Sequence, residues 1–501
     1  MSDPIKDPDD DAARAQLWQI LQQSPANLPR SLLRWLEISS PQRVLLCIAV
    51  TFVAAGLTWL VPAEAELGEA GRRSLFILLL AAGLWLSEAI PAFAVGILII
   101  ALQVLLLDRP GGGLTDGPGE WEAHVLVLGH PLVWLFFGGL VLAAAMSRTG
   151  IDRWLAVHVL QRFAHRPETL IGAVAGIAFA LSMLMSNTAT TAMMLALITP
   201  VVSRLERHDP MALTLVLAIP VGANLGGMGS LVGTPPNAVA AGALASQAGI
   251  EINFAQWLLV GLVPGLVLLV LLLSVLLWRV RGAAAPPAAL WQGLDESNTI
   301  AHVPQWERLT VIVTLLLTVS LWLTSGWHGL PAPAVSVVPV VILTATGILD
   351  VEAFRRLPYD VLFLLAGGLA LGLAVHQTGL AGWLISGIPS DDVPLFLLAL
   401  ATGAAAVVLS NIMSNTAAAN VLVPLAISAA PGAPLVVAIP VALCASAAMA
   451  MPVSTPPNAL AFATGLCRAR DFLVLGGVTA ICAPPLAAAW TLYVVRPLLG
   501  Q

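Results

Sequence analysis

Long apolar windows set the strongest limit on how this chain can fold. Each is about 18 residues or longer, enough for one helix to cross ~30 Å of hydrocarbon. The windows lie near 44–61, 74–90, 91–107, 131–147, 256–278, 309–325, 332–349, 360–376 and 472–495. With 58% hydrophobic and 10% charged residues among 501, the composition lies outside the ordinary soluble range. The sequence therefore predicts an all-α polytopic membrane protein.

Three further stretches lack Asp, Glu, Lys and Arg but are interrupted by Gly, Pro, Asn and Ser. They cover 169–203, 210–250 and 393–467. Irregular backbone survives at membrane depth only where protein or a water-filled cavity covers it. We therefore expect re-entrant helical hairpins at about 168–200 and 394–428, and broken helices at about 210–247 and 433–465. Together with the apolar windows, these segments give about 11 transmembrane helices plus two hairpins.

The basic residues divide unequally between the two sides of this arrangement. Of the 22 Lys and Arg residues, only Arg72, Arg73, Arg109 and Arg496 fall on one side. By the positive-inside rule the richer side is cytoplasmic, which puts the N terminus inside and the C terminus outside. We expect a cytoplasmic N-terminal segment at 1–43, then a first transmembrane helix with its external loop at 44–73. The expected location is the bacterial inner (plasma) membrane.

Two internal repeats organise the rest of the chain. The segment 136–150 (FFGGLVLAAAMSRTG) aligns with 365–379 (LAGGLALGLAVHQTG) at an offset of 229 residues. We place repeat 1 at 74–280 and repeat 2 at 308–498, with a cytoplasmic linker at 281–307. An odd number of crossings separates the paired glycines of these segments, so the second repeat enters the membrane from the opposite face. Inverted repeats of this kind place substrate and ion sites near the midplane, at broken segments in matching positions.

The same polar motifs recur in the interrupted stretches of both repeats. Ser-Asn-Thr occurs at 186–188 and 414–416, and Thr-Pro-Pro-Asn at 234–237 and 455–458. A serine, Ser182 or Ser410, also precedes each triplet by four residues. Gene duplication alone would leave two similar halves, but it does not explain polar groups that are costly in hydrocarbon at matching places. Because proline pairs break helices, each Thr-Pro-Pro-Asn is expected to split its helix.

The absence of fixed charge from these segments restricts what they can bind. Hydroxyl, amide and freed backbone carbonyl oxygens are the hard ligands that Na⁺ prefers. The amide and hydroxyl donors of each triplet, with helix N-termini at the breaks, can face an anion. Moving a dianion inward against an interior-negative potential of ~100 mV costs about 4.6 kcal/mol, which two co-bound Na⁺ would cancel. The layout therefore favours cation-coupled uptake of a divalent anion.

The paired hairpins and breaks, the segment 86–91 (LSEAIP) and the Gly-Gly helices resemble the divalent anion/sodium symporter family. The resemblance covers nearly all of 44–498 and implies sodium-coupled import of a divalent anion, such as the C4 dicarboxylate succinate. It also implies a homodimer in which each protomer pairs a scaffold domain with a transport domain that moves as an elevator. A sodium-independent exchanger, a proton-coupled carrier, or sulfate or a tricarboxylate as the substrate remain open alternatives.

Carried over by motif, the resemblance implies two sodium sites and one anion site. The first sodium site would use Ser182, Ser186, Asn187 and the carbonyl of Gly233. The second would use Ser410, Asn415 and carbonyls near Met413 and Ser454. The anion would lie between the hairpin tips, near Asn187, Thr188, Thr234, Asn415, Thr416, Thr455 and Pro456.

Other classes of protein lack their signatures in this chain. An intramembrane enzyme would need a nucleophile with its base, a metal-binding histidine pair or two aspartates, and the sequence has no HExxH, GxSxG or GxxxxGKS/T. We expect neither an enzyme nor a nucleic-acid partner. The expected partners are the anion, Na⁺ as coupling ion, the lipid bilayer and a second copy of the chain. Glu88 is interpreted as an interfacial or helix-end residue, and the four cysteines as packing thiols.

Overall fold

The computed structural model describes residues 40–61, 67–108, 121–205, 209–282, 303–386 and 393–500. These residues form helices joined by turns, and none of them lies in a strand. The prediction of an all-α polytopic membrane protein is confirmed. Nearly all of the predicted cytoplasmic segment 1–43 and most of the predicted linker 281–307 lie outside the described residues.

The first half of the chain forms helices α1 to α11. In chain order they are α1 Ser40–Trp59, α2 Glu69–Ser87, α3 Ala92–Leu106, α4 Trp121–Leu126, α5 Pro131–Thr149, α6 Ile151–Phe163, α7 Pro167–Ser182, α8 Asn187–Val202, α9 Pro210–Gly227, α10 Pro235–Ala248 and α11 Phe254–Arg279. The short loop 183–186 joins α7 to α8, and the loop 228–234 joins α9 to α10. These two helix pairs coincide with the segments expected to form the first hairpin and the first broken helix.

The second half repeats this order of elements. Its helices are α12 Gln305–Leu323, α13 Ser325–His328, α14 Ala332–Val335, α15 Val337–Ala345, α16 Val351–Arg355, α17 Tyr359–Gln377, α18 Leu380–Ile385, α19 Leu395–Ile412, α20 Asn415–Ala429, α21 Pro434–Ala447, α22 Pro456–Ala463, α23 Ala469–Trp490 and α24 Arg496–Leu498. Here α19 and α20 correspond to the hairpin, and α21 and α22 to the broken helix. The loops 413–414 and 448–455 separate the members of the two pairs.

Helix length alone does not separate the spanning helices from the broken ones. Within the described ranges, 9 helices are long and apolar enough to cross a membrane, and six more apolar helices are shorter. The longer group includes α9, one half of a broken helix, and α19, one arm of a hairpin. With the predicted hairpins set aside and each predicted broken helix counted once, the described part of the chain contains eleven apolar helical segments, and their role as crossings stays a prediction.

Burial distinguishes the central helices from those that face lipid. In α9, 89% of the apolar window is buried inside the protein, whereas in α1 only 6% is buried. An apolar helix with an unburied surface needs a hydrocarbon solvent around it, and the bilayer supplies one. The first broken helix therefore lies at the centre of the molecule, and α1 lies at its lipid-facing edge.

Glycines let the helices around the first hairpin approach to backbone contact. Gly222 and Gly226 are one turn apart on α9, and a Cβ on either would lie 2.2 Å from a carbonyl oxygen of α7. Helices α3 and α17 meet in the same way, at Gly96 and Gly367. Small residues are the usual means of close helix packing inside membranes. The close approach fixes the first hairpin arm against the broken helix of its own repeat.

Candidate functional site

The two hairpin tips carry the same hydrogen bond between a serine and an asparagine. Ser182 ends α7 and Asn187 begins α8, and the Ser182 hydroxyl donates to Asn187 Oδ1 at 2.7 Å. In the second hairpin the Ser410 hydroxyl lies 2.7 Å from Asn415 Oδ1 and 2.9 Å from the carbonyl oxygen of Ala445. Each bond brings a hydroxyl oxygen and an amide oxygen together with lone pairs to spare. Such uncharged oxygen pairs suit an alkali cation.

The serine of each triplet caps the helix that follows it. Ser186 accepts from the backbone N–H of Ala189 at 3.2 Å, and Ser414 accepts from that of Ala417 at 3.3 Å. The helices α8 and α20 therefore begin at the tips, with their remaining first-turn N–H groups and their positive dipole ends there. Each tip can stabilise negative charge without any basic side chain.

The asparagine of each Thr-Pro-Pro-Asn donates hydrogen bonds to backbone carbonyls around its helix break. The Asn237 side-chain amide lies within hydrogen-bond distance, 2.7 to 3.3 Å, of three carbonyls at the end of α9 and in the following loop. Asn458 donates to the carbonyls of Met449 and Met451, both at 3.0 Å. The backbone oxygens freed by the break are thus held in place, so the loop presents a fixed set of carbonyls.

Each hairpin tip docks on the break of its own repeat. In the first repeat Asn187 lies against Gly227, where an added Cβ would be 2.6 Å from Asn187 Oδ1. The Ser230 hydroxyl, in the loop after α9, donates to the backbone carbonyl of Met183 at the hairpin tip. In the second repeat Asn411 Oδ1 accepts from the backbone N–H of Ala450 at 2.7 Å. Tip and break therefore form one polar unit in each half.

The two halves meet through a buried asparagine of α9. Asn224 is fully buried, and its Nδ2 donates to Thr455 Oγ1 and to Asn458 Oδ1, both at 3.2 Å. The packing of the helices is crosswise in the same region, since α8 contacts α22 and α10 contacts α20. Motifs more than 200 positions apart in the chain are thereby brought to a single centre.

The predicted site residues differ in their exposure. Those that are buried are Ser182, Gly233, Thr234, Ser410, Met413, Thr416, Ser454 and Thr455. Asn187, Thr188 and Asn415 are half-buried, and Ser186 and Pro456 are exposed. The two threonines of the Thr-Pro-Pro-Asn motifs are not equivalent, because Thr455 accepts from the backbone N–H of Asn458 at 3.3 Å whereas Thr234 makes no side-chain cap bond. The Ser454 hydroxyl donates to the Met451 carbonyl at 2.8 Å.

The oxygen ligands available at this centre fit an alkali cation. Within the described residues no group of three or more His, Cys, Asp or Glu side chains could hold a metal ion. Two buried amide oxygens at the centre, Asn224 Oδ1 and Asn237 Oδ1, accept no hydrogen bond from the part of the chain that is described. Buried acceptors without donors are costly, and a hard cation is a partner that would satisfy them.

The sequence did not single out two buried asparagines near the site. Asn224 carries the contact between the repeats, and Asn420 of α20 lies fully buried against Gly368 of α17. Neither side-chain polar atom of Asn420 has a hydrogen-bond partner among the described residues. The signal available for both was a lone amide side chain in a long stretch without charge, which hydrocarbon would penalise unless protein surrounds it.

A buried, uncharged polar centre shared by two halves of a polytopic helical protein has the build of a membrane transporter. The sequence model of a family described as "Citrate transporter" matches residues 74–439. The sodium-dependent dicarboxylate transporter SdcS of Staphylococcus saprophyticus is 30% identical over 479 residues, which cover 89% of this chain and 90% of that protein. The protein of the same name from Staphylococcus aureus strain USA300 is 30% identical over 431 residues, 78% of this chain and 80% of that protein.

The chain therefore belongs to the citrate transporter family, and the resemblance to the divalent anion/sodium symporters is confirmed. It is a transporter and not an enzyme.

Proposed function

We propose that the protein is a sodium-coupled secondary transporter that imports a divalent anion, with a C4 dicarboxylate such as succinate as the substrate. The observation that carries the proposal is the repeated serine–asparagine pair at the two hairpin tips, each 2.7 Å between oxygens and each docked on a helix break. Relatives that are 30% identical over most of the chain are named sodium-dependent dicarboxylate transporters. Chemistry and relatives therefore support the same substrate class and the same coupling ion.

One sodium ion would be held in each repeat. The first site comprises Ser182, Ser186, Asn187 and the carbonyl of Gly233. The second comprises Ser410, Asn415 and carbonyls near Met413 and Ser454. The break asparagines Asn237 and Asn458 support this assignment, because they keep the neighbouring carbonyls in fixed positions.

The anion would lie between the tips, where the N-termini of α8 and α20 contribute donors. Asn187, Thr188, Asn415 and Thr416 begin those helices. After the breaks, Thr234 and Thr455 directly precede the helices α10 and α22, and Pro456 begins α22. A dianion and two Na⁺ are neutral together, so the roughly 4.6 kcal/mol cost of carrying the dianion against ~100 mV is removed. A third ion would make uptake favoured by the potential.

The movement proposed is that of an elevator in a homodimer located in the bacterial inner membrane. The hairpins and broken helices form the transport domain, and the remaining long helices form the scaffold. The crosswise contacts of α8 with α22 and of α10 with α20 support a transport domain that moves as one body. Helix α17 of the proposed scaffold contacts α20 of the proposed transport domain. One cysteine placed on each of these helices, with disulfide trapping in membranes with and without Na⁺, tests whether the two domains slide past each other.

The main test is uptake of radiolabelled succinate, citrate and sulfate into proteoliposomes, with and without an inward Na⁺ gradient. Sodium-dependent succinate uptake is expected, whereas uptake that ignores Na⁺ but needs internal anion would support an exchanger, and uptake driven by a pH gradient would support a proton-coupled carrier. Citrate is a necessary arm because the family model carries that name.

Two substitutions connect this activity to the proposed site. Asn187→Ala and Asn415→Ala should each abolish sodium-dependent uptake, since each removes an amide oxygen and an amide donor from a tip. The matched control is Asn253→Ala, which removes an exposed cap at the start of α11 whose side chain bonds to Gln256 of its own helix. Full activity in both tip variants would overturn the site assignment.

A further inference from the structure

A cavity of about 270 Å³ lies beside the tip of the second hairpin. Its lining includes Ser414, which caps α20 at that tip, and Arg43 of α1. The rest of the lining runs from the end of α2 to the start of α3 and comprises Trp85, Glu88, Ala89, Ile90, Pro91 and Ala92. One basic and one acidic side chain therefore share a chamber with the residue that precedes Asn415 and Thr416.

Within the described part of the chain, the two charged side chains of this cavity form no ion pairs. Arg43 and Glu88 are both exposed, and neither has an oppositely charged group within 4.0 Å among the described residues. A charge in a water-filled chamber acts on any ion that enters it, and the low-dielectric walls strengthen that action. The cavity therefore presents an attractive and a repulsive charge to an anion that approaches the tip.

Glu88 is held in a backbone conformation that disfavours it. Its φ of 49° and ψ of 26° are left-handed, and it is the single non-glycine residue with positive φ in the described part of the chain. At other helix ends of this protein, such as those before Gly150 and Gly249, glycine takes the same conformation. A residue with a Cβ costs about 1 kcal/mol more there than glycine does. Strain of this kind, next to a candidate site, indicates a use for the side chain.

Repeat 2 builds the corresponding corner without a charge. Trp85 Nε1 donates to the carbonyl of Ala92 at 3.2 Å, and Trp322 Nε1 donates to the carbonyl of Ala332 at 3.1 Å. Both tryptophans brace the chain across a helix end, yet the segment 323–331 (LTSGWHGLP) contains no Asp, Glu, Lys or Arg. The tryptophan makes the corner, so the fold does not need an acid at position 88.

We propose that this cavity is the vestibule through which the divalent anion passes between the second hairpin tip and the side of the membrane that carries the N terminus. Arg43 draws the dianion into the vestibule, and Glu88 weakens that attraction so that the anion leaves again. Glu88 and Arg43 are thus positioning residues for the transport step, and the proposal rests on the proposed function. Glu88 lies at the C-terminal cap of α2, in agreement with its interpretation as a helix-end residue, and the proposal adds a use for its side chain.

The test is the Michaelis constant for succinate measured from each face, in right-side-out and inside-out vesicles at saturating Na⁺. Removing one charge about 10 Å from a dianion in water changes its affinity about fourfold without screening, and about twofold at physiological salt. Arg43→Gln should raise KM by that factor from the vestibule face. Glu88→Gln should lower KM from the same face and also lower the maximal rate, because release is slower. From the opposite face both KM values should stay as in the wild type.

Two further variants keep the result interpretable. Glu88→Gly removes the charge and relieves the left-handed strain, so it should melt no lower than the wild type while reproducing the kinetics of Glu88→Gln. Arg355→Gln removes an exposed charge from the end of the short helix α16 and should change neither constant.

Equal KM values in the wild type and in all charge variants would overturn the vestibule but leave sodium-coupled uptake standing. So would a rise of KM in both Arg43→Gln and Glu88→Gln, because opposite charges cannot act in the same direction on one anion. A wild-type protein without sodium-dependent uptake would instead refute the proposed function, and the vestibule with it.

Discussion

Replacement of Gly227 by alanine separates the folding of the first hairpin from its capacity to hold sodium. A Cβ at this position would lie 2.6 Å from Oδ1 and 3.0 Å from Nδ2 of Asn187, whereas ordinary contacts begin at 3.4 Å. The Asn187 side chain would therefore have to move by about 0.8 Å. Its Oδ1 now accepts from Ser182 at 2.7 Å, and the same displacement would stretch that bond to about 3.5 Å, past the useful range.

The expected costs are unequal for stability and for binding. The group that must yield is the end of a side chain, so the fold loses about 1 kcal/mol for one hydrogen bond, partly offset by the better helix propensity of alanine. Sodium, in contrast, loses an oxygen ligand at a charged centre, which is worth about 1.5 to 3 kcal/mol. The Na⁺ concentration for half-maximal uptake should therefore rise about tenfold or more, with little change in melting temperature.

The assay is the sodium dependence of succinate uptake in proteoliposomes, with melting followed in detergent. Gly172→Ala is the matched control, because Gly172 lies in α7 and an added Cβ there meets nothing within 4 Å. The control should keep the wild-type sodium dependence. Gly227→Ala with an intact fold and an unchanged sodium dependence would refute the proposal that the Ser182–Asn187 pair binds Na⁺.

Three other predictions test the connections around the site. Asn224→Ala removes the two hydrogen bonds from Asn224 to the second break and leaves a buried acceptor there without its donor, so thermal melting should show a loss of about 2 kcal/mol and uptake should fall. Asn237→Ala removes the hydrogen bonds that hold the carbonyls of the first break. Because those carbonyls are proposed sodium ligands, the half-maximal Na⁺ concentration should rise more than the KM for succinate. At the surface, the N–H of Ala353 and then the Arg148 guanidinium lower the pKa of Asp350, so their stabilisation is present above about pH 4 and is lost as the pH falls through the lower folded-state pKa. Arg148→Gln should make the melting temperature fall less steeply as the pH is lowered below about 4, and it should leave uptake at neutral pH unchanged. A steeper fall of the melting temperature would contradict this.

The helix starts within the predicted hairpins and breaks could be read from the sequence because their causes are local. A proline pair disrupts the helix in which it occurs, and a serine before an asparagine caps the helix that follows, whatever the rest of the chain does. The structure accordingly begins α10 and α22 at Pro235 and Pro456, each the first proline of its pair. The serine four residues before each triplet also had a local reason, which the structure shows as the bond to the triplet's asparagine.

Contacts between distant parts of the chain could not be read in the same way. Nothing near Asn224 in the sequence indicates that its amide donates to Thr455, and the role of Asn237 as the tie of its loop depends on how that loop closes. The packing of Asn187 on Gly227 depends on the path of α9 past the tip. Such pairings follow from the packing of whole helices, which brings together residues that no short window contains.

The sequence by itself determined that this protein is a helical membrane transporter with two copies of one polar design, because hydrocarbon forbids unpaired polar groups and charges except where they have a use. The tertiary structure decided which of those polar groups meet. It joined the second break to the first through Asn224 and set opposite charges from Arg43 and Glu88 around one chamber. These contacts depend on the distances between helices, which glycine contacts and side-chain packing set only when the chain folds.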